Sequence, residues 1–220
     1  MAHPTSPNLA LTRPLFRGVL HEAGFVVSCL VAVAFLLPLD GKRLAAATVF
    51  AASASAMLGA SALYHRVTWS PAARLRMRRV DHAGIYVLIA GTFTPVGLLS
   101  LHGPLQTVVL SLVWGGATVA IVTKVCWVAA PRWLSVVVAV TLGWIGIFTL
   151  PQLAQSAGLG AVALLAIGGV AYTAGAIVYA RRKPDPFPRV FGYHEIFHGL
   201  TLVALTCQYV AIAIFVVGVT

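Results

Sequence analysis

The sequence predicts an all-α integral membrane protein with seven transmembrane helices, from its composition, its apolar runs and the placement of its basic residues. Of its 220 residues, 60% are hydrophobic and only 9% are charged, whereas soluble domains carry about 25% charged residues. Seven apolar runs are long enough to cross a bilayer as helices, the form that pairs every backbone polar group in lipid. They lie near 20–38, 44–64, 82–101, 106–128, 134–153, 158–180 and 194–218.

Residues that break helices separate the runs, and small residues favour close packing between them. The first run, at 23–39, follows Arg13 and Arg17 but has no A-x-A cleavage site before Asp40. We therefore expect a retained first helix and not a signal peptide. The second helix contains AASASAMLGASALYH, whose Ala, Ser and Gly permit close helix contact. Proline or glycine interrupts the chain between runs at 38–41, 102–104 and 130–131.

The basic residues predict the orientation. With the N-terminus inside, 13 of the 15 Lys and Arg lie in cytoplasmic segments, and only Lys42 and Arg43 lie outside. Such asymmetry between alternate loops is the positive-inside rule. We predict a short cytoplasmic segment at 1–19, a transmembrane domain at 20–220 with its C-terminus outside, and a location in the inner (plasma) membrane.

The net charge of +10 also raises the question of nucleic acid. Here the Lys and Arg fill short gaps between apolar runs, so we expect membrane lipids as partners and no nucleic acid. The three cysteines, Cys29, Cys126 and Cys207, lie in separate apolar stretches without C-x-x-C spacing. We interpret them as packing residues and expect neither a disulfide framework nor a thiolate metal site. No pattern specifies an oligomeric state.

Polar residues from three predicted helices fall at one membrane depth. Helix two ends inside, where the i, i+4 spacing of Ser61 and His65 places them on one face. Helix three begins inside, with Asp81 in its first turn. Helix seven also begins inside and carries His194 and His198 on one face. Ionisable groups within a membrane are costly, so a shared depth indicates a functional site.

The stretch YHEIFHG, at 193–199, contains H-E-x-x-H, which is typical of the helix of zinc metalloproteases. Each histidine alone is more simply an interfacial residue at a helix end. His194, His198 and His65 together supply three imidazoles, which with a water would complete a four-coordinate zinc. We therefore predict a Zn²⁺ site with these three metal ligands.

Asp81 and Ser61 are the candidate catalytic residues, and each has a structural alternative. Asp81 could cap helix three or pair with Arg78 or Arg79. In a hydrolytic site its carboxylate could hold a water and accept its proton, or could bind the metal directly. Ser61 could be a small packing residue, or its hydroxyl could bond to the water, to Asp81 or to a substrate oxygen.

Four other polar residues at this depth, Glu195, His21, Glu22 and His82, are not predicted to bind the metal directly. Glu195 would be the base in a protease, but Asp81 competes for that role, so Glu195 could instead face the headgroups or pair with a loop arginine. For His21 and Glu22, an interfacial position is favoured, with support of the metal site as the alternative. His82 points about 100° away from Asp81 on the helix, so we place it outside the group of residues that bind the metal directly.

Four segments resemble the signature segments of hemolysin III proteins: RGVLHE, SALYHRVTWSP, RRVDHAGIYVLIAGTFTPV and FGYHEIFHG. These proteins are the bacterial members of the progestin and adiponectin receptor superfamily, related at longer range to alkaline ceramidases. The resemblance runs from about Arg17 to the end of the chain. It implies a seven-helix fold with a zinc on the cytoplasmic side, bound at the positions of His65, His194 and His198. It also implies a water held near Asp81 and Ser61.

Where the chain departs from the eukaryotic receptors, two expectations change. Those receptors carry a different residue at the position of Glu195, which weakens the protease interpretation of this glutamate. They also have a long N-terminal cytoplasmic region that is absent from this sequence, so receptor-style signalling is not expected.

Three functions remain open on the sequence. The first is a zinc-dependent hydrolase of a lipid amide or ester, with Asp81 as base and then acid; the ceramidase relationship favours an amide. The second is a non-enzymatic protein with a structural zinc that senses lipid, maintains the membrane or forms a cytolytic pore, although helices four to six offer few polar groups for a pore. The third, an intramembrane protease, lacks a third ligand after H-E-x-x-H.

Overall fold

The computed structural model describes residues 14–127 and 130–218, and its regular secondary structure there is entirely helical. The prediction of an all-α membrane fold is confirmed, while most of the predicted N-terminal segment at 1–19 lies outside the described residues. A 3₁₀ segment, Ile145–Thr149, joins α5 to α6, and a π-helical segment, Ala211–Val216, follows α7. The helices are α1 Val19–Leu36, α2 Gly41–Arg66, α3 Pro71–Ser100, α4 Gly103–Cys126, α5 Arg132–Trp144, α6 Leu150–Arg181 and α7 Tyr193–Val210.

Within the described ranges, six helical stretches are long and apolar enough to cross a membrane. Five of the predicted spans correspond to one helix each. The spans predicted at 134–153 and 158–180 instead fall in one stretch of 50 residues, Arg132–Arg181. Seven separate spans and the orientation of the termini therefore stay predictions.

The chain nevertheless reverses its direction within that long stretch. Trp144 Nε1 donates a hydrogen bond to Thr173 Oγ1 at 3.1 Å. A straight α-helix would hold residues 29 positions apart at a separation of about 44 Å. Gly158 has non-helical dihedrals, φ 80° and ψ 170°, a left-handed φ that glycine adopts without steric cost. The antiparallel limbs on either side of it account for the two predicted apolar runs.

Helix α3 begins at Pro71, well before the predicted start at 82, so Asp81 and His82 lie about three turns into the helix instead of in its first turn. The arginine-rich first turns hide this start from hydropathy. The sequence carries a helix-start signal here, a serine followed by a proline. In the structure, Ser70 Oγ accepts a hydrogen bond from Ala73 N at 3.4 Å, and the proline occupies the first helical position.

Helix α2 packs closely on its neighbours through small residues, as predicted. A Cβ atom added at Gly91 of α3 would lie 2.0 Å from Ser53 Oγ of α2, so only glycine permits this approach. Phe50 and Leu58 of α2 are fully buried and cluster with Leu205 of α7. The outer faces are apolar, as expected for contact with lipid.

The segment before α1 is hydrogen-bonded to the segment just before α7. Leu15 N donates to Arg189 O at 3.0 Å, and Phe16 N donates to Val190 O at 3.1 Å. At Gly18, where φ is 84°, a Cβ atom would lie 2.6 Å from the Cβ of His65. These contacts bring the starts of α1 and α7 against the end of α2.

Candidate metal centre

Three histidines converge where the end of α2 meets the start of α7. His65 lies in the last turn of α2, and His194 and His198 lie one turn apart on α7. Their candidate ligand atoms all lie within 4.8 Å of one another, and the Nε2 atoms of His65 and His194 are 3.2 Å apart. The structure thus brings together the three predicted ligands in a group that could bind a metal ion.

His21 is part of this centre, contrary to the interfacial position that we favoured from the sequence. It is only 2% exposed, and its ring stacks on that of His198 with centroids 3.7 Å apart and planes 9° apart. The buried residues of α1 are His21, Ser28 and Phe35, spaced at seven-residue intervals on one face. The signal in the sequence is that His21 and Ser28, two polar residues of a largely apolar run, share this spacing.

Ser61 contacts His21 and shares a cavity with Asp81. The Ser61 hydroxyl is buried and lies 2.8 Å from Nδ1 of His21, and Ser61 and Asp81 line the same cavity. Asp81 does not cap α3, which begins at Pro71. It forms no ion pair with Arg78 or Arg79, as judged from the described residues. Both residues therefore lie on the wall of one cavity with the histidine group, while the catalytic roles of Asp81 and Ser61 stay predictions.

Glu195, the glutamate of H-E-x-x-H, is engaged by the backbone and by an arginine. It is fully buried, and its Oε2 accepts from Gly192 N at 2.8 Å, which satisfies an N–H at the start of α7. Its Oε1 pairs with Nε of Arg17 at 2.5 Å. Both oxygens are occupied, and of the two alternatives left open from the sequence, the structure has the pairing with an arginine outside the helices. Glu22, by contrast, is exposed and pairs with Arg66 at 2.8 Å, as an interfacial residue would.

A cavity of about 550 Å³ lies beside the histidine group. At the histidine end its wall includes Ser61, Asp81 and His194. Farther into the bundle its wall is mostly apolar, with Val96 of α3 and Leu165 of α6 among its residues. His82 lines the cavity too but does not belong to the histidine group, as predicted. The cavity joins a polar end to a long apolar interior.

Fold and site together define a multi-pass helical membrane protein with a buried histidine group at one end of its helices. A family model described as haemolysin-III related matches residues 9–209. The chain is 33% identical over 172 residues to the Hemolysin-3 homolog of Bacillus subtilis (strain 168), covering 78% of each protein. It is 35% identical over 104 residues to Hemolysin-3 of Bacillus cereus, covering 47% of this chain and 48% of that protein. The chain therefore belongs to the haemolysin-III-related family, and membership of the progestin and adiponectin receptor superfamily is consistent with this.

Proposed function

We propose that this protein is a zinc-dependent hydrolase of a lipid amide or ester, placed in the inner membrane with its histidine group near the cytoplasmic leaflet. One observation carries the proposal: the group of His65, His194 and His198 adjoins a largely apolar cavity that Asp81 also lines. A metal site, a carboxylate and a space for an acyl chain are the parts that such a reaction requires.

The residues present fit a zinc ion. In a tetrahedral zinc site with Zn–N bonds of about 2.0–2.1 Å, two ligand nitrogens lie about 3.3 Å apart, and the Nε2 atoms of His65 and His194 are 3.2 Å apart. Nδ1 of His198 is buried without a hydrogen-bond partner in the described part of the chain, and this ring is one of the three that could hold a metal ion. Three protein ligands with an open fourth position is the pattern of catalytic zinc.

The surrounding side chains support hydrolysis. A bound zinc would supply Lewis acidity and acidify a water molecule. Asp81, which faces the cavity, would accept the proton of the attacking water and return it to the leaving amine or alcohol. Ser61, which lies 2.8 Å from Nδ1 of His21 and lines the cavity with Asp81, would orient that carboxyl group. The apolar interior of the cavity would hold the acyl chain.

The non-enzymatic alternative, a structural zinc between α2 and α7, is less well supported. Structural zinc sites are closed by four protein ligands. Among the described residues only three histidines form the candidate group, and no fourth ligand joins them. A protease acting through Glu195 is also disfavoured, because Arg17 and Gly192 already engage its two oxygens.

Metal content per chain tests the site. We expect about one zinc per chain in the wild type, measured by mass spectrometry after identical detergent purification, and loss of zinc in His65→Ala and His198→Ala. His102→Ala is the matched control, because His102 is exposed at the start of α4 and lies outside the histidine group. Wild-type protein that is folded but free of zinc would contradict the proposal.

Turnover of lipid amides and esters tests the reaction. We expect Asp81→Asn to retain zinc and to lower the hydrolysis rate by about 100-fold or more, because it removes the general base. Asp40→Asn is the control, since Asp40 is exposed at the opposite end of α2. Zinc-loaded wild type that hydrolyses neither class of lipid, or Asp81→Asn protein as active as wild type, would exclude this mechanism.

A further inference from the structure

An excess of positive charge lines one side of the cavity. Among its described lining residues are five Lys or Arg side chains and a single carboxylate, that of Asp81. Three of these cations, Arg78 of α3, Lys124 of α4 and Arg132 of α5, line the cavity together with His82. We call these three residues the cation cluster. Three separate helices thus contribute positive charge to the wall of the cavity.

The charges of the cation cluster have no acidic partner. None of its members takes part in an ion pair within the described part of the chain. Lys124 is 5% exposed, although a buried charge without a counter-ion is strongly destabilising. The carboxyl group of Asp81, which lines the same cavity, supplies at most one negative charge against three positive ones. A bound anion would supply the missing charge.

We propose that the cation cluster binds a phosphate group. Guanidinium groups such as those of Arg78 and Arg132 match the oxygens of a phosphate with paired hydrogen bonds, and a lysine adds a point charge. Arg78 and His82 are four residues apart and share a face of α3, and Asp81 lines the same cavity. The phosphate would therefore share the cavity with the carboxylate to which the hydrolase proposal assigns the proton transfer.

A groove between α4 and α5 indicates that this phosphate belongs to a lipid. The groove is lined mainly by apolar residues, and Lys124 and Tyr86 line both the groove and the cavity. Its wall includes Val119 and Val137, which are 67% and 52% exposed on the outer surface of the helices. An acyl chain in the groove would place a headgroup at the cation cluster. If the proposed hydrolase activity holds, its substrates are phosphate-bearing lipids.

Thermal unfolding of the full chain in detergent tests this site with three probes: dioleoyl phosphatidic acid, dioleoylglycerol with the same acyl chains, and inorganic phosphate. At about a hundredfold excess over Kd, phosphatidic acid should raise Tm by roughly 5–10 °C, and dioleoylglycerol should not. Lys124→Met and Arg132→Gln should each weaken binding of phosphatidic acid by about 10-fold or more. Arg132 is exposed and lines the cavity, so Arg132→Gln still tests the site if Lys124→Met does not fold.

Arg76→Gln is the matched control, because Arg76 is an exposed arginine of α3 that does not line the cavity. Binding of phosphatidic acid alone assigns the cluster to a lipid headgroup. If inorganic phosphate also binds, and Lys124→Met and Arg132→Gln lose that binding too, the cation cluster accepts phosphate from a lipid headgroup or from solution. Equal shifts by both lipids, no shift at all, or equal losses in Arg76→Gln and Lys124→Met would overturn the proposal.

The same titrations on Asp81→Asn protein separate this inference from the hydrolase proposal. Binding of phosphatidic acid without lipid hydrolysis by the wild type would support the phosphate site and contradict the hydrolase proposal. Hydrolysis of neutral lipids without a Tm shift by phosphatidic acid would support the hydrolase proposal and contradict the phosphate site.

Discussion

At the scale of single residues, Glu195 shows how surroundings decide what a motif does. In H-E-x-x-H the glutamate would act on a water beside the metal. Here its carboxylate accepts from the backbone of Gly192 and pairs with Arg17, and it is fully buried. The ion pair of Glu195 with Arg17 links the segment before α1 to the first turn of α7, next to His194 and His198.

We expect Glu195→Gln to destabilise the protein without removing its metal. The variant leaves Arg17 without its buried counter-charge, which costs on the order of 3 kcal/mol and should lower Tm by roughly 5–10 °C. Thermal unfolding in detergent, together with metal content, measures both quantities.

The control for this prediction is Glu22→Gln, which breaks the exposed pair with Arg66. Exposed pairs contribute about 1 kcal/mol or less, so Tm should hardly change. A Glu195→Gln protein with unchanged Tm and abolished hydrolysis would restore the protease-like role of the glutamate.

At the scale of elements, the metal centre depends on how closely α1 approaches α2. Gly18 precedes α1 with φ 84°, and a Cβ atom there would lie 2.6 Å from the Cβ of His65. The start of α1 therefore rests directly against a candidate ligand, and His21, one turn later, stacks on another.

We expect Gly18→Ala to weaken metal binding as well as stability. The added methyl group must displace His65, and residues that hold and orient metal ligands typically change affinity by about 10–100-fold. Competition with a chelator of known zinc affinity measures the change.

Gly103→Ala separates the steric effect from backbone strain. Gly103 also has a positive φ, 63°, but a Cβ atom there would have no neighbour within 4 Å. This control should lose about 1–2 kcal/mol of stability through strain alone and keep the metal affinity of the wild type. Equal metal affinities in the two variants would show that the contact with His65 is unimportant.

At the scale of the whole molecule, the number of spans determines where the C-terminus lies. The predicted topology needs an odd number of crossings, and the reversal around Gly158 supplies the turn that divides the 50-residue stretch Arg132–Arg181. If that stretch crossed the membrane once, six spans would place both termini on one side.

We expect reporters fused to the two ends to place the two termini on opposite sides of the membrane. An N-terminal reporter that works only in the cytoplasm should be active, and a C-terminal reporter that works only outside should also be active, because the basic residues keep their loops inside. A C-terminal reporter active only in the cytoplasm would exclude the seven-span topology.

Much of the site was predictable from local spacing together with topology. The i, i+4 spacing places Ser61 with His65, and His194 with His198, on single helical faces. Alternating helix directions then bring the end of α2 to the start of α7. The position of His21 was harder to predict, because the seven-residue spacing of His21, Ser28 and Phe35 identifies a buried face without showing what it packs against.

By itself, the sequence determined the helical class of this protein, its apolar runs and the three histidines of its candidate metal centre, because these depend on composition, on spacing along a helix and on the alternating directions of successive helices. Only the tertiary structure decided the pairing of Glu195 with Arg17, the stacking of His21 on His198 and the placement of the cation cluster in one cavity. Each of these joins residues far apart in the chain, and such contacts depend on how helices are rotated and tilted against one another.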